Sequence, residues 1–451
     1  MALFGKRRKQ QTESDPAVGV AAVEGDPSGA AEGDRGPVLP PVDAEGRRSA
    51  DAHREFLLSM VEELPPFGQQ LLDALDLTLC EDVVSQVDLP GFDNSAMDGY
   101  AVQWPDLTGA SDSDPVVLAV VGEIAAGQQA TQPLSPGTAM KVMTGAPIPP
   151  GADTVVPYED TDRGADDVLV YREAPEGQHI RRRGEDLAAG SQVFSAGDRL
   201  HPASIGLLAA IGQDKALVRP RPRVVVIATG SELVEPGMPL ESAGQLYDSN
   251  SFLLAAAARR AGAQVFRVGM VSDDPDQVKQ LIRDQLVRAD LVVTSGGVSQ
   301  GDHDVVKQVM PELGWCDFAQ VAMQPGKPQG FGLIGDDQTP MIMVPGNPVS
   351  AFVSFEAFVR PVIRKLRGVQ PYTRVALPAI AAHDMTSVPG RRQFARGIVT
   401  EDGDRRVKLV GGHGSHLIGD LAQANCLVIL DEETESVAAG DTVPVWLLTE
   451  D

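Results

Sequence analysis

With 451 residues, 43% of them hydrophobic and 22% charged, the chain is long enough to bury several cores and to divide into two to four domains. Its formal net charge of -25 excludes a general nucleic-acid surface, which needs clustered Lys and Arg, so any anionic ligand has to meet a local basic patch. No apolar run approaches the roughly 18 residues that span a bilayer, and Cys80, Cys316 and Cys426 lack metal-like spacing, which reads as a set of reduced thiols in a cytoplasmic protein.

Residues 1–48 are poor in aromatics and rich in Gly, Ala, Pro and acidic residues, the composition of a disordered tail. Lys6, Arg7, Arg8 and Lys9 form its one basic cluster, readable as a solvated charge run or as a contact for an acidic partner or membrane surface. From Ser49, Phe56, Leu57, Met60, Val61 and Leu64 recur at helical spacing until Pro65 and Pro66 stop the helix, and a second short helix is expected near residues 69–75. The stretch VDLPGFDNSAMDGYAV (87–102) is a dense polar turn leading into a strand, in which Asp98 is either a turn former or a ligand carboxylate. Between about 115 and 200, short strands separated by Gly and Pro turns suggest a small inserted β-barrel. Thr144 lies in one of its turns. Asp186 follows Arg181, Arg182 and Arg183, a run that is either a solvated face or a counter-charge for phosphate. A short Ala- and Leu-rich helix over 202–212 leads out.

At Arg223 the pattern turns to alternating strands and helices, which predicts a doubly wound α/β domain with its ligands at the carboxyl ends of the strands. The strand 224–228 ends in TGSEL with Glu232; QVFRVGMV precedes Asp273 and Asp274; helices cover 251–261 and 277–287. The stretch LVVTSGGVSQGDHDVVK (291–307) is a buried strand, a turn in which Ser295, Gly296 and Gly297 let backbone approach a ligand, and a helix whose free N–H groups face the same spot. Asp302 and Asp304 are either magnesium ligands or, respectively, the N-cap and a first-turn partner of that helix's dipole. A further strand ends in MIMVPGNPVS, which carries Pro345 and Pro348, and a long helix kinked at Pro361 runs to about residue 366. G-x-x-x-x-G-K-[ST] does not occur, which excludes a P-loop ATPase. From residue 372 apolar and polar residues alternate between Gly turns, predicting a C-terminal β-barrel that bears Arg391, Arg392, Arg396, Ser415 and His416.

In order along the chain stand PGFDNSAMDGYA (90–101), MTGAPIPPGAD (143–153), RRRGEDLAAG (181–190), TGSEL (229–233), SGGVSQGDHD (295–304), PGKP (325–328), VPGNPVSA (344–351), GRRQFARG (390–397) and GSHLIGDLAQAN (414–425). Over about residues 50–450 this series resembles the molybdopterin molybdenumtransferases, the MoeA and gephyrin E-domain family. The resemblance implies an elongated homodimer with a tail (1–48), a linker and dimerisation subdomain (49–114 and 202–220), an inserted β subdomain (115–201), a MogA-like α/β molybdopterin-binding domain (221–370) and a C-terminal β-barrel domain (371–451). It implies magnesium-dependent insertion of molybdate into adenylated molybdopterin with release of AMP. Molybdate, a phosphate-like dianion, would be held by Lys327, Arg391, Arg396, Ser350 and Ser415. Lys307, Pro328, Pro345 and Pro348 join Ser295, Gly296 and Gly297 in the substrate-binding set, magnesium falls to Asp274 and Asp304, and Asp98, Thr144, Asp186 and Glu232 match positions implicated in activity, Asp98 and Thr144 reaching across the dimer. The expected partners are a second copy of the chain and the molybdopterin-adenylating protein of the same pathway. Gln324 departs from the family's usual Lys-Pro-Gly-Lys-Pro, which motivates an alternative: a gephyrin-like dimeric scaffold for a partner protein's peptide, with weak or lost transferase activity.

Overall fold

The computed structural model describes residues 37–128, 132–271, 274–298, 304–401 and 403–449. Asp273 and Asp302, the basic cluster at 6–9 and most of the expected tail lie outside these residues. Arg47 and Arg48, which the sequence reading put in the tail, form a strand paired in parallel with Gly314–Val321. Arg48 is buried and its guanidinium is bidentate on Asp317. Ser49 then caps the helix Ala50–Ser59 through its hydroxyl on the Ala52 N–H.

The α/β domain is built on one mixed sheet in the order Arg47–Arg48, Gly314–Val321, Pro328–Ile334, Thr339–Val344, Leu291–Ser295, Arg223–Thr229, Gln264–Val271. The last four strands are parallel to one another, as the alternating pattern predicts. Gly314–Val321 and Pro328–Ile334 add antiparallel strands that periodicity did not reveal. Alternate residues of the same strand feed two cores. Val224, Val226, Leu291 and Val293 pack with the helices around residues 50–59, 250–260 and 348–366, while Val225, Ile227 and Val292 pack with Pro275–Leu286 and Val305–Leu313. Burial on both faces is why these strands read as unbroken apolar runs. Each fully buried Val or Ile contributes about 1.5–3 kcal/mol, so the sheet is a rigid base for the loops at its edge. Because the helices after Arg223–Thr229 and after Leu291–Ser295 lie on opposite faces, the crevice between those two strand ends is a topological switch point.

The helix expected near 69–75 is absent. Phe67–Gln70 is instead a strand paired with Lys215–Val218, because a partner some 145 positions away outweighs a weak local period. Likewise Val83–Val84 pairs with Gln192–Phe194 and Asn94–Ser95 with Ile180–Arg181, so segments on either side of the expected boundary at 115 interleave. The inserted region is a five-stranded sheet in the order Thr154–Pro157, Gly99–Val102, Thr138–Val142, Val116–Ile124, Asp167–Val170. A bridge from Thr161 to Val170 brings its two edges together. In the C-terminal region Arg392–Thr400, Arg406–Leu409, Leu377–Ala381, Thr442–Leu447 and Cys426–Leu430 pair in sequence, and Arg392–Thr400 pairs again with Cys426–Leu430 to close a barrel. The long helix, expected to kink at Pro361, carries a π-helical turn, Phe355–Val359, between Pro348–Ser354 and Arg360–Leu366.

Candidate functional site

A cleft of about 560 Å³ opens at the switch point, between the carboxyl ends of Arg223–Thr229 and Leu291–Ser295. Its wall includes Thr229, Glu232, Asn250, Ser295, Gly296 and Pro348, together with His416 from the barrel domain. This volume is typical of small-molecule sites. Gly296 and Gly297 take φ of 93° and 86°, and a Cβ on Gly297 would stand 2.6 Å from Val306 Cβ, so both geometry and space require glycine there. Asp304 occupies the N-cap position of Val305–Leu313, with Oδ1 only 3.2 Å from where that Cβ would be. One candidate carboxylate therefore adjoins the glycine turn.

Asp274 caps Pro275–Leu286, its Oδ1 accepting from the N–H groups of Asp276 at 2.9 Å and Gln277 at 3.2 Å. Asp274, expected from the sequence only as a magnesium ligand, is thus also an N-cap. Among the described residues no group of three or more His, Cys, Asp or Glu is placed to hold a metal. Two carboxylates at neighbouring helix starts on one sheet edge are nevertheless a donor set suited to magnesium, which commonly takes one or two carboxylates and completes its shell with water and substrate phosphates. Lys307 faces elsewhere: it is exposed, and its ammonium lies 5.5 Å from the centre of the Phe318 ring.

The PGKP loop and the barrel meet beside the cleft. Met323–Gln324 pairs with Arg392–Thr400, setting Gln324 opposite Gln393. Gln329 is buried and donates to the Gly326 carbonyl at 2.6 Å and to Ser354 Oγ at 2.7 Å, which fixes the loop bearing Lys327 and Pro328. Arg396, also buried, donates to the carbonyls of Gly412 and Gly414 and so holds the loop that carries Ser415. Ser415 in turn accepts through its carbonyl from the Val349 N–H at 3.0 Å, next to buried Ser350 at the start of Pro348–Ser354. Burial lowers the Arg396 pKa from the usual guanidinium range. Gln324, Val349, Gln393, Arg396 and His413 enclose a further cavity of about 50 Å³. Pro345 is buried under its turn, and Arg391 is half-buried. Asn250, Gln329 and the Gln393–His413 pair, 2.8 Å apart, were not singled out from the sequence; an Asp-Ser-Asn at the mouth of an alanine-rich helix was the available signal for the first.

Asp98, Thr144 and Asp186 are elsewhere on the chain. Asp98 is exposed and accepts from the Thr144 N–H at 2.7 Å and the Thr144 hydroxyl at 2.8 Å, bonds that hold its carboxyl below the usual carboxylate range. Asp186 is exposed, with its N–H on the Leu89 carbonyl. Arg182 and Arg183 pair with Asp93 and Asp88. Ion pairing within the fold thus accounts for two members of the arginine run. No residue from this region lines the cleft.

Residues 48–212 match the MoeA N-terminal region (domain I and II), 225–365 a probable molybdopterin binding domain and 378–448 the MoeA C-terminal region (domain IV). A Mycobacterium tuberculosis protein named molybdopterin molybdenumtransferase 2 is 44% identical over 408 residues, 89% of this chain and 100% of that relative. The chain belongs to the MoeA family of molybdopterin molybdenumtransferases. It is accordingly an enzyme of the transferase class, in molybdenum cofactor biosynthesis. A Haemophilus influenzae molybdopterin molybdenumtransferase is 37% identical over 86% of this chain and 96% of its own length. The crystal structure of a Pyrococcus horikosii molybdopterin biosynthesis MoeA protein superposes with a TM-score of 0.73 at 32% identity, covering 89% of this chain and 98% of the other. No helix among the described residues is long and apolar enough to cross a membrane.

Proposed function

We propose that this protein inserts molybdate into adenylated molybdopterin, with magnesium, and releases AMP. The observation that carries this reading is the cleft at the switch point, lined by Glu232, Ser295 and Gly296, whose glycine turn leads on to Gly297 and the Asp304 carboxylate beside it. Gly296 and Gly297 would let a pyrophosphate come close to the turn without side-chain obstruction. Asp274 and Asp304 would hold the magnesium ion, whose chemistry when bound is to neutralise charge on the phosphates and favour departure of AMP. Lys327 and the Ser350–Ser415 wall, positioned by Gln329 and Arg396, would receive the molybdate dianion as substrate. Arg391 belongs to the same proposed set, and Glu232, on the cleft wall, would face the bound substrate.

Asp98 and Thr144 enter this site only if a second copy supplies them, so we infer a homodimer. Exposed apolar side chains support it on both surfaces: Phe92 and Met97 beside Asp98, Leu246, Tyr247 and Phe252 around the cleft. A molybdopterin-adenylating protein would deliver the substrate. The test is conversion of adenylated molybdopterin by purified protein with molybdate and magnesium, read as AMP released; a folded protein that releases none sinks the reading. Asp304→Ala and Asp274→Ala are each expected to lower turnover by about 10²-fold or more while the thermal midpoint of Asp304→Ala stays within about 3 °C. Normal activity in both that is still abolished by chelator would move the metal elsewhere.

A further inference from the structure

Asn250 opens the helix Asn250–Arg260 at the mouth of the cleft, and its Nδ2 donates to Ser295 Oγ at 2.7 Å and to the Gly346 carbonyl at 2.5 Å. A carbonyl can only accept, so this contact fixes which end of the amide is nitrogen. The two partners sit in different strand-end turns, and those turns touch: Gly296 donates to the Val344 carbonyl at 2.9 Å, and a Cβ on Gly346 would lie 3.8 Å from Gly296 Cα. Asn250 therefore ties the turn after Leu291–Ser295 to the turn after Thr339–Val344. With both amide hydrogens engaged, Oδ1 remains, shut off from solvent and reached by no donor among the described residues. A buried acceptor without a donor is unfavourable and calls for an explanation. The chain on either side cannot easily turn to relieve it. Buried Asp248 accepts from the Ser251 N–H at 3.0 Å and from the Ser251 hydroxyl, and it lies 3.6 Å from Arg267, whose guanidinium stacks 4.0 Å from the Phe252 ring centre.

We propose that Asn250 is a positioning and specificity residue: its amide nitrogen sets the gap between the two turns, and its Oδ1 accepts a hydrogen bond from an N–H of the substrate's heterocycle. Phosphate and molybdate oxygens are themselves acceptors and cannot fill that place. The inference rests on the molybdenum-insertion reading, in which the substrate carries two such heterocycles, a pterin and an adenine. Accepting the bond requires the turns to part by a small movement as the ligand enters, which the tie through Ser295 and Gly346 would transmit to both.

The test is steady-state kinetics of the full chain with adenylated molybdopterin and molybdate. Asn250→Ala is expected to raise KM for adenylated molybdopterin about tenfold while KM for molybdate changes less than about twofold. Its thermal midpoint should change by no more than about 3 °C, because loss of the two donated bonds is offset by removal of the orphaned acceptor. Inhibition by AMP separates the two heterocycles: an unchanged Ki assigns the donor to the pterin, and a Ki weakened by the same factor assigns it to the adenine. Asn250→Asp keeps the shape and an oxygen but loses both donated bonds and adds a charge beside phosphate, so its KM rise should exceed that of alanine. Unchanged KM values in both variants would overturn the proposal. So would a fall in midpoint with both KM values moving together, the behaviour of a packing residue. Wild-type protein without turnover would instead overturn the functional reading beneath it.

Discussion

At the scale of single residues, Gln324 is where the chemistry of this chain departs from its relatives' usual motif. It sits opposite Gln393 in a small cavity that Arg396 also lines, beside the loop of Lys327. A lysine there would add attraction to a dianion worth roughly 1–4 kcal/mol at the effective dielectric of a partly buried site. Desolvating the ammonium and ordering its long side chain take back part of this, so Gln324→Lys is expected to tighten molybdate binding about three- to thirtyfold. Titration of molybdate at fixed magnesium checks it, and superimposable curves would mean that the glutamine amide serves well enough. His53 makes a second residue-level case. Burial in the apolar core, reinforced by the charge of Arg48, pushes its pKa down to about 3. The unfolded value is about 6.5, so between the two the unfolded chain binds the extra proton, and folding stability declines as pH falls through that window by about 1.4 kcal/mol per unit. The wild-type thermal midpoint should therefore drop more steeply between about pH 6.5 and 4.5 than that of His53→Leu. Parallel curves would show that the imidazolium is accommodated.

At the scale of elements, strand pairing between remote segments decides what local pattern leaves open. The two-residue strand Arg47–Arg48 is held through Arg48, whose side chain is 6% exposed and is bidentate on Asp317 at 9%. Removing one partner of a buried pair strands the other charge, at about 3–5 kcal/mol. Arg48→Met should lose that much in denaturant unfolding, and adding Asp317→Leu should recover most of it. A single variant as stable as wild type would return this segment to the tail. The same pairing logic explains why residues 67–70 are strand and why the expected boundary at 115 does not separate two bodies: Gly99–Val102 is a central strand of the inserted sheet.

At the scale of the whole molecule, the proposed catalytic set is split. Glu232, Ser295 and Gly296 line one cleft, while Asp98, Thr144 and Asp186 stand on surfaces that do not line it. A homodimer in which each copy completes the other's site predicts complementation. Asp98→Ala and Asp304→Ala proteins, each inactive, should on mixing and subunit exchange regain about a quarter of wild-type activity, because half the dimers are mixed and each of those has one intact site. Light scattering at micromolar concentration should give twice the mass of one chain. A monomer, or a mixture that stays inert, would confine the site to one chain. The named relatives are transferases, and the scaffold alternative gains no support from them.

The sequence by itself determined the family, through nine ordered motifs, and the parallel α/β core. It also put Glu232, Ser295 and Asp304 at strand ends, because a buried strand, a glycine turn and a helix start are all written within a few neighbouring residues. It could not show that Arg396 holds the backbone of 412–414, that the hydroxyl of Ser295 meets Asn250, or that Arg48 belongs to the sheet. Those depend on which distant segments are packed together, and a residue's partners across 45 or 269 positions leave no mark in its own neighbourhood. Only the tertiary structure assigns a hydrogen-bonding side chain to support or to substrate, because the choice lies in which buried donors and acceptors the fold has already satisfied.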